Sequence, residues 1–314
     1  HLPMVQVYVL LFAGLLLLFV SGKYLVDSSV IISKRLRIPR MIIGLTVVAF
    51  GTSAPELLVS IQAALAGYSE IAMGNVVGSN ISNMLLVLAV TALIYPIPVP
   101  ASSVKRDWPM MMFASLLLFV LTLNGLLSRL EGILFVALLV GYIVFSVRLA
   151  RGDKQPYEDK EEETSLKWWV AGLIFLASCA GLAFGADLLV DNVALIAEEF
   201  GISQRVISVT MVAVGTSIPE VATSVIAALK KETDISVGNI LGSNIMNILS
   251  VLGITSFISP IKVDAQIARF DIPWMLGISV VLLLLMLPAA RSRITRWKGL
   301  VMIMIYLLYI YFLF

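Results

Sequence analysis

The sequence predicts an all-α membrane protein of ten transmembrane helices, arranged as two inverted repeats of five. Three observations predict it: an apolar composition, ten long apolar stretches, and an internal duplication in constant register. Of the 314 residues, 60% are apolar and 13% charged, and the mean hydropathy is +1.00. A soluble domain carries roughly a quarter charged residues, so a cytosolic enzyme, a disordered tail and a nucleic-acid binder are excluded. The formal net charge of +2 supports none of them. The one cysteine, Cys179, lies in an apolar run, which removes any intrachain disulfide or thiolate metal site. The one histidine is His1.

The stretches long enough to cross a core of ~30 Å lie near 4–32, 41–67, 71–95, 108–127, 132–149, 168–197, 206–229, 235–259, 270–289 and 299–314. Met4 is expected to be the native start. The run from Val5 to Val20 has no basic leader and no small-residue cleavage site, so it reads as a first membrane helix and not a signal peptide. Between Arg148 and Lys167 the chain is charged and carries Pro156. This is read as a solvated connector, 151–167, between a first half, 4–150, and a second, 168–314. The acidic cluster Glu158–Glu163 is assigned to that loop over a calcium sensor.

Basic residues set the orientation, because short cytoplasmic loops are enriched in Lys and Arg. With the N-terminus outside, the inside loops hold 17 of them, whereas the outside loops hold only 4: Arg129, Arg205, Lys262 and Arg269. Both termini are therefore expected to face outward from a plasma or inner membrane.

The duplication is the strongest feature. GTSAPE at 51–56 recurs as GTSIPE at 215–220, and GNVVGSNISN at 74–83 recurs as GNILGSNIMN at 238–247. Each pair is offset by 164, as are Asp27 and Asp191, Pro96 and Pro260, Asp107 and Asp271, and Pro109 and Pro273. Five spans per half is an odd number, so the second half enters the membrane in the opposite sense. Such inverted repeats are common in secondary transporters with a midplane site between the halves.

The motifs lie inside apolar spans. A carboxylate at mid-membrane costs on the order of 2.5–3.5 kcal/mol on insertion scales, so Glu56 and Glu220 need a partner. No Lys or Arg lies near either in sequence; a bound cation is the simplest partner and a proton the next. Ala49, Thr52, Ser53 and Glu56 share one helical face at i, i+3, i+4 and i+7, as do Ala213, Thr216, Ser217 and Glu220. Ser79 and Asn83 form an i, i+4 pair, matched by Ser243 and Asn247. All offer oxygen, the donor that Ca²⁺ and Na⁺ prefer.

Pro55 and Pro219 have no N–H, which leaves the carbonyls of Gly51 and Gly215 without their helical donor. Each GTSxPE segment is therefore expected to be the unwound point of a discontinuous helix at a midplane ion site, with Gly51 and Gly215 adding flexibility. Gly74, Gly78, Gly238 and Gly242 are read as close-packing positions.

These paired motifs closely resemble the repeats of the cation/Ca²⁺ exchanger superfamily, particularly its Na⁺/Ca²⁺ exchanger branch, across motif regions 49–83 and 213–247 and the ten-span plan. The resemblance implies an antiporter that exchanges Na⁺ for Ca²⁺ by alternating access. It implies Glu56 and Glu220 as central ligands, surrounded by Thr52, Ser53, Ser79, Asn83, Thr216, Ser217, Ser243 and Asn247, with carbonyls from Ala49 and Ala213. It also implies that the first and sixth helices slide against the other eight, and a ratio of three Na⁺ to one Ca²⁺. Some relatives carry Asp where this chain has Asn247, so potassium dependence is disfavoured and Ca²⁺ affinity lowered. The proton-coupled branch usually has Gly-Asn where this chain has Gly-Thr-Ser, which disfavours Ca²⁺/H⁺ exchange. A passive channel is the reading from another class. The expected partners are Ca²⁺, Na⁺ and the lipid bilayer, with no cofactor and no nucleic acid, and the chain is expected to be monomeric.

Overall fold

The computed structural model describes residues 4–152, 167–201, 215–287 and 292–313. The connector residues 153–166 and the first arm of the seventh span, including Ala213, lie outside the described residues.

The first half contains α1 (Met4–Leu36), the broken pair α2 (Arg40–Thr52) and α3 (Ala54–Leu65), α4 (Ser69–Ile94), α5 (Trp108–Thr122) and α6 (Arg129–Gly152). The second contains α7 (Trp168–Glu199), α8 (Ile218–Leu229), α9 (Thr233–Ile258), α10 (Ile267–Met286) and α11 (Arg296–Leu313). Among the described residues six helices are long and apolar enough to cross a bilayer, and the α2–α3 pair makes a seventh. The bounds of α3, α4 and α5 are reproduced at an offset of 164 by α8, α9 and Ile272–Met286 within α10. After α10 the offset grows to 167, because the loop before α11 is three residues longer than the loop before α6.

The helices sort by enclosure. α4 and α9 are the most deeply buried, whereas α1, α6 and α7 expose most of their apolar surface. α1 and α7 pack against each other along their lengths. Small residues make that possible: a Cβ on Gly14 would lie 3.1 Å from the Gly185 carbonyl, and one on Gly181 would lie 2.2 Å from Ser21 Oγ. α9 crosses α2 backbone to backbone, since a Cβ on Gly238 would fall 2.6 Å from the Met41 carbonyl and one on Gly242 2.3 Å from that of Leu45. Around the first-half mate Gly74, the described residues offer a Cβ only Ile267 Cδ1, at 3.8 Å. The residues related to Met41 and Leu45, Arg205 and Val209, lie outside the described residues.

Two short antiparallel clips join the halves. β1 (Ile97–Pro98) pairs with β4 (Arg293–Ile294), and β2 (Leu126–Leu127) pairs with β3 (Ile261–Lys262). Each is extended by one bond, Val99 N–H to the Ser292 carbonyl at 2.9 Å and Val263 N–H to that of Gly125 at 3.0 Å. A second matched pair braces the helices: Tyr142 donates to Asp107 Oδ1 at 3.0 Å and Tyr309 to Asp271 Oδ1 at 2.9 Å.

The duplication is imperfect where charge is involved. Left-handed backbone occurs at Arg37 (φ 53°) and at its mate Gly201 (φ 75°), and at Gly67 (φ 87°) and its mate Lys231 (φ 63°). One copy of each turn thus uses the residue suited to that conformation and the other a basic side chain that is strained there. Beside Lys231, Lys230 pairs with Asp27 of α1, and Arg40 pairs with Glu232 at 2.7 Å. The residues related to Lys230 and Glu232 in the first half are Ala66 and Tyr68, so these ties are not duplicated.

Candidate functional site

The site forms where the two GTSxPE segments meet α4 and α9. At Ser53 the backbone leaves helical geometry (φ −85°, ψ 7°) and the chain bends by 43° between α2 and α3. Ser217 has nearly the same conformation (φ −89°, ψ 1°). In the first half the break is one residue long, because Pro55, like Pro219 in the second half, sits in the first turn of the new helix, where a missing N–H costs nothing. Gly51 and Gly215 have a packing role that the sequence did not reveal. A Cβ on Gly51 would lie 2.6 Å from Cys179 Sγ and 3.0 Å from Phe175 Cζ, and one on Gly215 would lie 3.0 Å from Val190 Cγ2, so both admit α7.

Restarting the helix at this point places Glu56 and Glu220 in the first turns of α3 and α8, at the positive end of each helix dipole. Both side chains are fully buried. Glu220 Oε1 accepts from Ser53 at 3.3 Å and from Ser243 at 3.5 Å. Glu220 Oε2 and both oxygens of Glu56 have no hydrogen-bond partner among the described residues.

Neutral oxygens and amides surround them in matched sets. Thr52 lies 3.4 Å from Ser243 and donates to Asn239 Oδ1 at 3.1 Å; its mate Thr216 lies 3.1 Å from Ser79 and donates to Asn75 Oδ1 at 3.4 Å. Asn75 is held by Ser60 at 3.1 Å and Asn239 by Ser224 at 3.0 Å. In both sets a threonine of one half meets α4 or α9 of the other. The two halves share one site.

Asn83 and Asn247 follow one turn after Ser79 and Ser243, each fully buried at the start of a widened π turn. Both polar atoms of Asn83 lack partners among the described residues, whereas Asn247 donates to Asn80 Oδ1 at 3.1 Å. The Ala49 carbonyl accepts from Ser53 N–H at 3.0 Å and from the Thr52 hydroxyl at 3.3 Å. Asn75, Asn239, Asn80, Asn244, Ser60 and Ser224 were not singled out from sequence, although all six obey the 164 offset and four of them lie in the GNxxGSN motifs.

No group of three His, Cys, Asp or Glu comes together among the described residues. The donor set is two carboxylates in a wall of hydroxyls and amides, chemistry suited to a hard cation and unsuited to a soft metal. The sodium/calcium exchanger protein family matches residues 6–148 and 170–314. The chain belongs to that family. The inner membrane protein YrbG of Escherichia coli K12 is 37% identical over 283 residues, covering 88% of this chain and 87% of its own. The sodium/calcium exchanger MaX1 of Methanosarcina acetivorans is 34% identical over 346 residues, covering 98% of both. The solved structure of the sodium-calcium exchanger NCX_Mj, soaked with zero Na⁺ and Ca²⁺, superposes with a TM-score of 0.83 at 29% identity, over 99% of this chain and 100% of that one. This exchanger is an integral membrane antiporter of the cation/Ca²⁺ class with two repeats and bent helices, and not an enzyme.

Proposed function

We propose that this exchanger carries Ca²⁺ in one direction and Na⁺ in the other through a single site, presented to each side of the membrane in turn. The observation that carries the reading is the pair of fully buried carboxylates, Glu56 and Glu220, with three of their four oxygens unpartnered among the described residues. Two negative charges at membrane depth are unfavourable unless a cation compensates them, and a divalent ion does so completely. The ligands are Glu56 and Glu220 with oxygens from Thr52, Ser53, Ser79, Asn83, Thr216, Ser217, Ser243 and Asn247, and carbonyls from Ala49 and Ala213. Relatives support the choice of ions: MaX1 is a sodium/calcium exchanger, and NCX_Mj has also been solved after a soak in 2.5 mM Na⁺ and 1 mM Sr²⁺.

The protein acts as a monomer, with five-helix repeats at 4–150 and 168–314, a cytoplasmic connector at 151–167 and both termini outside. Coupling is electrogenic: one Ca²⁺ neutralises the two carboxylates, whereas three Na⁺ leave one positive charge. The decisive experiment is uptake of radiolabelled Ca²⁺ into proteoliposomes under an imposed Na⁺, K⁺ or pH gradient, each applied singly. Uptake driven by outward Na⁺ alone supports the reading. Uptake driven by the pH gradient without Na⁺ assigns a Ca²⁺/H⁺ antiporter instead, and Ca²⁺ entry without any counter-ion assigns a channel.

A further inference from the structure

Asn80 lies on α4 between Ser79 and Asn83 and is 1% exposed, yet it faces the other half of the molecule. Its Nδ2 lies 3.2 Å from the Asn244 main-chain carbonyl and 3.7 Å from Met275 Sδ. A carbonyl oxygen and a thioether sulfur can only accept, so the amino group of Asn80 must point at them. Its other terminus is then the oxygen, which can only accept. Asn247 sits 3.1 Å from that oxygen and must therefore present its own amino group. The Asn247 oxygen is turned the opposite way. It is buried and has no partner among the described residues. A chain of two hydrogen bonds, anchored on a main-chain carbonyl, thus fixes which end of the Asn247 amide is free.

Among the described residues the related pair, Asn244 and Asn83, forms no equivalent chain. Asn244, the mate of Asn80, donates its amino group to the Ile240 carbonyl at 2.8 Å, and its Oδ1 has no partner among the described residues. Asn83, the mate of Asn247, makes no side-chain hydrogen bond among the described residues. The two asparagines thus look equivalent in sequence, while among the described residues only Asn247 is oriented.

We propose that Asn80 is a positioning residue, which holds the Asn247 amide with its oxygen toward the cation and its amino group away from it. This role presupposes that Asn247 contacts the ion. An amide presents either a favourable oxygen or an unfavourable N–H to a cation, and the choice decides whether the position attracts or repels. A carboxylate at position 247 has two equivalent oxygens and needs no orienting.

That difference supplies the test, a cycle of Asn80→Leu, Asn247→Asp and the double variant in full-length protein, reconstituted for Na⁺-driven Ca²⁺ uptake. Asn80→Leu alone should raise the KM for Ca²⁺ about tenfold, the upper scale of one lost net hydrogen bond between neutral groups, because the Asn247 amide is then free to turn its amino group to the ion. Added to Asn247→Asp, the same substitution should change KM less than about twofold, because the interaction it removes no longer sets orientation. An equal penalty in both backgrounds overturns the positioning role and leaves Asn247 as a ligand. An unchanged KM in Asn247→Asp alone overturns the ligand reading itself, and the positioning role with it. Asn80→Ala enters the same cycle should the leucine variant fail to reach the membrane.

Discussion

The hydroxyl of Ser53 reaches across the repeat boundary and donates to Glu220 Oε1 at 3.3 Å, whereas the hydroxyl of its mate, Ser217, has no hydrogen-bond partner among the described residues. The two carboxylates are therefore held differently despite closely matched motifs. Ser53→Ala should raise the KM for Ca²⁺ about fivefold, from the loss of ~1 kcal/mol of hydrogen bonding to a charged group. Ser217→Ala should raise it by a smaller factor, because it removes one neutral ion oxygen and no hydrogen bond to a carboxylate. Equal effects in paired uptake assays would show that the asymmetry does not persist when the ion is bound.

Glu56→Gln or Glu220→Gln should each abolish exchange while leaving the protein folded. Removing one of two buried charges relieves an unfavourable pair when no ion is present, so melting in ion-free detergent should hold or rise. The upward shift in melting produced by Ca²⁺ in the parent should disappear. Wild-type transport by both variants would end the ligand reading.

Asn247→Asp adds a third negative charge to the site. Ca²⁺ binding should tighten by roughly tenfold or more, as expected of a charge-assisted ligand in a buried setting, with slower release and a lower turnover. Titration calorimetry on purified protein measures the first effect directly.

If three Na⁺ exchange for one Ca²⁺, as proposed, the Na⁺-loaded site would carry net charge, and each elementary charge feels about 2.3 kcal/mol per 100 mV. An inside-positive potential clamped with valinomycin should speed Ca²⁺ entry into Na⁺-loaded vesicles. A pH gradient alone should leave it unchanged.

Lys231 occupies a left-handed turn that its mate, Gly67, fills without strain. Lys231→Gly should therefore raise stability, by about 0.5–1 kcal/mol of relieved backbone strain. Thermal melting reads this as a rise in midpoint. No rise would indicate that contacts of the lysine offset its conformation.

Much of the architecture was legible because it rests on local chemistry. A proline without an N–H, followed by a carboxylate inside an apolar run, announces a broken helix, and a constant offset announces a duplicated fold. The structure brings Thr52, Ser53, Glu220 and Ser243 of opposite halves within bonding distance, as it does Ser79 and Thr216. Other features depend on rotamers and neighbours that no spacing encodes. The packing role of Gly51 was not legible because the approach of Cys179 and Phe175 from α7 is a tertiary fact. Asn80 escaped notice because i, i+4 spacing selected Ser79 and Asn83, while hydrogen-bond direction between asparagines follows only from an anchored acceptor.

The two strand clips constrain how such a molecule can alternate. Tilting one repeat against the other as a rigid body would pry apart β1–β4 at one end or β2–β3 at the other with every stroke. Both clips link repeat to repeat, so the helices beside them form a frame stapled at two ends, ill suited to a rocking cycle. α1 and α7 carry no strand, rest on each other through glycine contacts, and line the periphery. If that pair is the moving part, a cross-link from it to the clipped frame, and not one between its own two helices, is the intervention expected to stop alternation.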